Sequence, residues 1–527
     1  MQQASGILIA ALAAAVLLAG CQEAPEPTGT QTEPVSAPDS WLIDNVIIVD
    51  GSGEPGAAGA LRVRNDRIVA VGDRVEALPG ETVVDGNGQV LAPGFIDTHS
   101  HADGALDEQP EALAAVSQGI TTVVIGQDGW SNFPLTDYFE QREAAPTAVN
   151  LASYAGHGRL RAEVMGEDYK REATMDEVLQ MADLLQQELD AGALGLGSGL
   201  EYDPGNYADR SEVLHLAWVA AENQSRYISH LRSEDRAFEE AVDEIIEIGR
   251  RTRMPVQISH IKLAMKRLWG TAPELLEKLD AARADGIDIS ADIYPYEFWQ
   301  SDLSVILPER DFTDREAVEF ALDQIAPPDG MWLSRFEPEP DYVGKTLSEI
   351  AELRGVDPAT AYMQLIAESQ AWSAEHEDSI AIGEGADAII ATSMREEDIR
   401  LLLAWPHTNV CTDGALDDRH PRGAGTFPKV LGRYVREEGL LTLEEAIHKM
   451  TGLSAQHMGL TTRGAIRVGA FADLVLFDSE TVIDEATPQQ PDALSSGVSA
   501  VWVNGVAVYR DGKSTGKFPG RVVRRGE

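Results

Sequence analysis

Cysteine is nearly absent: the 527 residues contain two, Cys21 and Cys411. With one of them close to the N-terminus, the body of the chain has no internal disulfide to form. Lysine and arginine are scarce as well. They number 42 against 87 aspartates and glutamates, for a formal net charge of -45 and a pI near 4.5. No basic patch with interleaved aromatics interrupts this acidic field, so nucleic acid and anionic lipid headgroups are poor partners. The surplus acid suits a salty habitat or plain solubility equally well. Nucleotide signatures are missing too. "GLGSGLEYDPG" (195–205) is glycine-rich but lacks the phosphate-loop lysine and its spacing, and it fits no dinucleotide fingerprint. It reads as a strand-to-helix loop within reach of a substrate. No organic cofactor is called for, and the chain holds no internal sequence repeat.

What is present points to a large core. Hydrophobic residues make up 43% of the chain, enough for more than one domain. The 47 glycines and 26 prolines suit many loops between regular elements. The apolar run "ILIAALAAAVLLAGC", Ile7 to Cys21, is shorter than a membrane-spanning helix requires and ends on small residues. It resembles a bacterial lipoprotein signal with the lipobox Leu18-Ala19-Gly20-Cys21, although "MQQASG" carries no Lys or Arg. Cleavage before Cys21 makes that residue a lipid anchor. Gln22 is not the aspartate linked with inner-membrane retention, so the expected location is the periplasm, on the outer membrane. Residues 21–38 are polar and proline-rich and read as a tether.

Both ends of the remaining chain have β texture. "WLIDNVIIVDGSG" and "GALRVRNDRIVAVGD" near the N-terminus match "ADLVLFD" and "VSAVWVNGVAVYRDG" near the C-terminus, with "VNGVAVYRDGKS" reading as two small hairpins. One β domain built from both termini is expected. Between them, strand-like and helix-like segments alternate. "ITTVVIG" (120–126) reads as a strand. "MDEVLQMADLLQQELDAG" reads as a helix, opened by a Thr174–Glu177 capping box, with Val178, Met181, Leu184, Leu185 and Leu189 on one side. "FEEAVDEIIEIG" reads as another, with Gly249 as its terminator. Such alternation over more than 300 residues predicts a parallel α/β fold and a barrel, broken by an insertion at about 308–375.

Polar residues recur at the ends of the predicted strands. "GFIDTHSHAD" (94–103) places His99 and His101 two apart, so strand alternation points both one way. His230 in "YISHLRSE", His260 in "VQISHIK", Asp128 after "TTVVIG" and Asp413 in "CTDG" sit at similar positions. C-terminal strand ends of a barrel converge on one mouth, and imidazole with carboxylate suits zinc and related divalent ions. A lone buried histidine is ordinarily just hydrogen-bonded, and His407, His420, His448 and His457 keep that reading. Lys262, two residues beyond His260, and Arg422, in "DRHPRGAGTFP", are candidates to clamp a substrate carboxylate or to form surface ion pairs. Cys411 reads as a small buried residue.

The ordered series "APGFIDTHSHAD", "GALGLGSGLEYDPGNYA", "YISHLRSE", "QISHIK", "ADIYPY", "CTDG", "HPRGAGTFPKVLGRYVRE" and "TTRGAIRVGAFADLVLFD" resembles the amidohydrolase superfamily. Within it, the chain is most similar to the N-acyl-D-amino-acid deacylase (D-aminoacylase) family, from about residue 42 to the end. The resemblance implies a metal-dependent (β/α)8 TIM barrel plus a small β-sandwich from both termini. The implied layout is a signal peptide over 1–20, sandwich parts over 39–92 and 466–527, and the barrel over 93–465. It also implies roles. His99 and His101 match the ligands of the more exposed metal position, and His230 and His260 those of the tighter one. Asp413 matches the catalytic aspartate, Lys262 and Arg422 the carboxylate anchors, and Tyr294 of "YPY" a substrate-lining tyrosine. One departure stands out: the family often has cysteine in "GNCG", where this chain has "GQDG" and Asp128. A carboxylate is harder than a thiolate but can still bridge two ions.

The expected activity is metal-dependent hydrolysis of the amide of an N-acyl-D-amino acid, with one or two divalent ions, zinc first among them. The same site suits a periplasmic dipeptidase or cell-wall-peptide amidohydrolase and, less well, a cyclic amide hydrolase. A non-enzymatic lipid-anchored binding protein on a degenerate barrel is the remaining alternative.

Overall fold

The computed structural model describes residues 40–376, 386–417 and 419–527. The signal peptide, the Cys21 anchor and the tether all lie outside the described residues.

Eight short parallel strands form the central barrel: Phe95–Asp97, Ile120–Ile125, an interrupted third strand (Asn150–Ser153 and Ala155–Gly156), Leu196–Gly199, Tyr227–His230, Val256–Ile258, Ile289–Ile293 and Thr408–Val410. Nearly every residue in them is buried, because a barrel strand is covered by side chains inside and helices outside. The break in the third strand falls at Tyr154, whose N–H donates to the Ile125 carbonyl at 2.9 Å. The first half pairs with the second strand and the second half with the fourth.

The ring closes between strands one and eight. The Asp413 N–H donates to the His99 carbonyl at 2.8 Å, and the His101 N–H to the Gly414 carbonyl at 3.0 Å. Side chains lock the seam. Thr412 donates both its N–H (2.8 Å) and its hydroxyl (2.6 Å) to the buried Asp97 carboxylate. Asn409 donates to the Thr98 hydroxyl oxygen.

Helices Met175–Ala191, Phe238–Thr252 and Ala272–Ala284 pack outside, as the periodicity predicts. The Thr174–Glu177 capping box is formed. Gly249 does not end its helix, which continues to Thr252 and caps at Arg253 in a left-handed conformation. Its glycine character answers a packing need instead: a Cβ there would sit 2.7 Å from Cγ2 of Ile287.

Between strands seven and eight lies the insertion, wider than the expected 308–375. It contains an antiparallel three-stranded sheet of Phe298–Ser301, Met331–Phe336 and Asp387–Thr392, with helices Arg315–Gln324, Leu347–Arg354 and Pro358–Glu375. Its central strand, Asp387–Thr392, and one edge, Phe298–Ser301, come from segments on either side of the helical stretch, so the insertion reaches past both expected limits.

The terminal parts join in one nine-stranded sheet. Val90–Pro93 from the N-terminal part pairs antiparallel with Leu474–Phe477 from the C-terminal part. Ile43, Leu61, Val63 and Leu91 share an apolar cluster with Leu474, Leu476 and Trp502. Both small C-terminal hairpins form. Their turns, Asn504-Gly505 and Asp511-Gly512, have positive φ at both residues, the conformation that matches strand twist in tight hairpins.

Candidate active site

His99 and His101 follow the first strand, and Asp413 and Arg422 the eighth. Seam closure therefore brings them together. Asp128, His260 and Asp413 all have left-handed backbone at the strand ends, with φ of 53°, 35° and 50°. Such conformations are costly for non-glycine residues and collect at functional sites.

All six expected ligands meet at this mouth. His99 Nε2 lies 3.4 Å from Asp128 Oδ2 and 3.3 Å from Asp413 Oδ1. His101 Nε2 lies 3.6 and 3.2 Å from the same two oxygens. The other oxygen of Asp128, Oδ1, lies 3.3 Å from His260 Nε2. That nitrogen is 3.2 Å from His230 Nδ1. One Asp128 carboxylate thus faces two histidine pairs, one with each oxygen. His99, Asp128, His260 and Asp413 offer ligand atoms within 4.8 Å of one another, and His230, Glu234 and His260 form a second such group.

These residues fit a divalent ion. Both ring nitrogens of His99 are buried and make no hydrogen bond among the described residues, although two carboxylates stand close by. Burial works against charge on Asp128, but the His99 and His260 imidazoles outweigh it and hold the carboxyl well below its ordinary range. Burial likewise opposes ionisation of Asp413, and Arg422, His260 and His99 overcome it. The carboxylates in turn push His101 up to about 10 against the effect of burial. The buried Asp413 and half-buried Asp128 carboxylates demand positive charge here, which a divalent cation would supply.

Carboxylates also brace the outer ring nitrogens. His230 Nε2 lies 3.0 Å from Glu201 Oε2, and His260 Nδ1 lies 3.1 Å from Glu234 Oε1. This leaves His230 Nδ1 and His260 Nε2 turned inward; a carboxylate braces the outer nitrogen of His230, while that of His260 is shared between Glu234 and the Lys262 ammonium at 2.6 Å. Asp292 lies beneath, accepting from the His260 N–H, from Gln257 at 2.6 Å and from the Cys411 thiol at 3.3 Å. Cys411 is buried in that role. Sequence reasoning passed over Glu201, Glu234 and Asp292. Their one available signal was position, just beyond or at the end of a predicted strand.

Lys262 donates to both Glu234 oxygens at 2.7 Å, and Arg422 Nη1 pairs with Asp413 Oδ2. Arg422 is seated by His420, whose Nδ1 accepts the Arg422 N–H at 3.0 Å. His420 therefore keeps a structural role. Tyr294 lies between the two cations, its ring 4.7 Å from the Arg422 guanidinium and 5.8 Å from the Lys262 ammonium. Its hydroxyl is buried and has no partner among the described residues. An open cleft joins Asp413, His230, His260, Lys262 and Tyr294 to a wall supplied by the insertion.

The chain is similar to known proteins over most of its length. A description of the amidohydrolase family matches residues 82–328 and 344–509. N-acyl-D-glutamate deacylase of Alcaligenes xylosoxydans xylosoxydans is 36% identical over 508 residues, covering 92% of this chain and 96% of the relative. D-aminoacylase of the same organism is 35% identical over 515 residues, with 93% and 98% covered. A crystal structure of D-aminoacylase superposes with a TM-score of 0.81 at 35% identity, covering 92% of this chain and 99% of that one. N-acyl-D-glutamate deacylase from Bordetella bronchiseptica, solved with zinc and a phosphonate inhibitor, gives the same TM-score, identity and coverage. A D-hydantoinase from Thermus sp., at 16% identity and a TM-score of 0.54, shares the fold. The TIM-type barrel, its sheet domain and these matches place the chain in the amidohydrolase family, in the branch of the D-aminoacylases and N-acyl-D-amino-acid deacylases.

Proposed function

We propose that this protein hydrolyses the amide bond of N-acyl-D-amino acids, releasing a carboxylate and a free D-amino acid. One observation carries the reading: the Asp413 carboxylate turns Oδ1 to the paired histidines and Oδ2 to Arg422. It thus stands between a metal-ligand set and a cation suited to a substrate carboxylate. Relatives named as deacylases of D-glutamate and D-aspartate derivatives, both 36% identical, support the substrate class.

His99, His101, Asp128, His230, His260 and Asp413 would hold the ion or ions, with zinc our preferred identity for a nitrogen-and-carboxylate set. When bound, a divalent ion supplies polarisation of the amide carbonyl and a water of pKa near about 7. The protein does the rest. Asp413 accepts the proton of the attacking water and returns it to the departing nitrogen, as general base and then general acid. Arg422 and Lys262 hold the α-carboxylate, which fixes the face presented to Asp413. The Tyr294 hydroxyl is a donor available to the developing oxyanion.

The proposal extends to location. The lipobox-like "LAGC" and the tether support a periplasmic lipoprotein anchored through Cys21, and labelled palmitate incorporated by the wild type but not by Cys21→Ser tests this.

The activity test is a screen of purified protein loaded with zinc, cobalt or manganese. Its substrates are N-acetyl and N-succinyl derivatives and dipeptides of D and L amino acids. Turnover of the D derivatives is expected. Activity confined to L-dipeptides would replace this reading with a peptidase on the same site.

A further inference from the structure

The loop after strand four carries two loads. Glu201, two residues past the end of Leu196–Gly199, braces His230 Nε2 with its carboxylate at 3.0 Å. Asp203, two residues further on, pairs with Arg310 of the insertion. Arg310 commits all three nitrogens of its guanidinium. Nη2 donates to the Glu201 carbonyl at 2.8 Å, and Nε donates to Asp203 Oδ1 at 3.3 Å. Nη1 donates to the Ser304 and Leu307 carbonyls at 2.8 and 3.3 Å. One planar fork thus joins a barrel loop to the first turns of the insertion. Its side chain is 14% exposed, so water competes weakly for these bonds.

The backbone around Arg310 is arranged to the same end. Its φ of 55° lies in the left-handed region, which disfavours any side chain. The Arg310 N–H still closes on the Leu307 carbonyl at 2.9 Å, and the Leu307 N–H on that of Ser304 at 3.1 Å. Such strain persists where the surroundings over-determine it, and here the fork supplies the extra constraint. A second link runs from Asn206 Nδ2 to the Pro308 carbonyl at 3.4 Å. The other Asp203 oxygen accepts from the Tyr169 hydroxyl at 3.3 Å. Arg310 is not among the described residues that line the cleft, so its route to the ion runs through Glu201.

We infer that Arg310 is a positioning residue for the metal site: it fixes the Glu201 backbone, so that the Glu201 carboxylate holds His230 in register for the ion. This rests on the metal-ligand reading above and extends it to the insertion, which supplies none of the six ligands. Coupling between two sites is reciprocal. An ion held by His230 therefore steadies the insertion over residues 302–310.

The experiment measures zinc affinity of the full chain by competition with a chromophoric chelator, with no substrate present. Arg310→Ala is expected to weaken zinc binding by about tenfold, the low end for losing an outer support of a metal ligand. In a Glu201→Ala background the same change is expected to cost no more than about twofold, because both act through one side chain. Hydrogen exchange of the wild type, with and without zinc, reads the reciprocal effect: zinc should slow exchange over 302–310 by at least about threefold. A folded Arg310→Ala that binds zinc as tightly as the wild type overturns the inference, and so does a full further loss in the double variant. Should Arg310→Ala not fold, the wild-type exchange decides, and rates over 302–310 that ignore zinc overturn it. A wild type that binds no divalent ion overturns the metal-site reading and this inference together.

Discussion

Arg422 and Asp413, nine residues apart, form a buried ion pair that occupies one oxygen of the carboxylate and leaves the other 3.2 Å from His101. The residue proposed to anchor the substrate thus also positions the residue proposed to move the proton.

Arg422→Ala should therefore lower kcat/KM for an N-acyl-D-amino acid by about 10- to 100-fold, the worth of a charge-assisted hydrogen bond. The control is the α-carboxamide of the same compound. An anchor effect is lost on the carboxamide, whereas damage confined to Asp413 slows both substrates alike.

Asp413→Asn keeps the side-chain shape and removes the proton acceptor. It should cut kcat by about 100- to 10,000-fold, the range for general acid–base catalysis, with the fold intact by circular dichroism. Unimpaired hydrolysis in this variant rules out the mechanism.

Metal removal should lower thermal stability as well as activity. A ligand bound only by the folded state stabilises it, and the site gathers two carboxylates, Asp413 buried and Asp128 half-buried, that a cation would neutralise. Chelation is expected to reduce Tm by about 5 °C, reversed by added zinc and read by calorimetry.

Glu201→Gln and Glu234→Gln should each weaken metal binding by about 10- to 100-fold through the histidines they brace. Competition with a chromophoric chelator measures this without any substrate. Glu234→Gln has a second expected effect: it releases Lys262 and raises KM.

A separate pH effect is expected on the barrel wall. Glu188 is buried, and its carboxyl is pushed up to about 7 by burial, partly opposed by the Leu135 N–H that it accepts at 3.0 Å. Because the folded value lies above the unfolded one, the stabilising neutral form is fully present in acid and is lost as pH rises through about 7. Glu188→Gln retains an acceptor and never ionises. It should leave stability near pH 4 unchanged and gain roughly 2 kcal/mol at pH 8, measured by denaturant melts.

Much of the site was legible because histidine is rare in this chain and falls at strand ends. His99, His101, His230 and His260 account for four of eleven histidines. The bracing residues were not legible, since Glu201, Glu234 and Asp292 are three among 87 acids and only tertiary contact distinguishes them. Gly249 failed as a helix end for a related reason. A glycine required by close packing against Ile287 looks the same in sequence as one required by a left-handed cap. The insertion ran past its expected limits because its outer strands resemble barrel strands until their antiparallel partners are known.

The seam between strands one and eight sets a timetable. Asp97 and Thr412, its clasp, stand 315 residues apart in the chain. A ribosome that has delivered the paired histidines and Asp128 must still make most of the protein before their second carboxylate partner, Asp413, exists. The full ligand set is therefore assembled only when residues at the far end of the barrel close against the first strand.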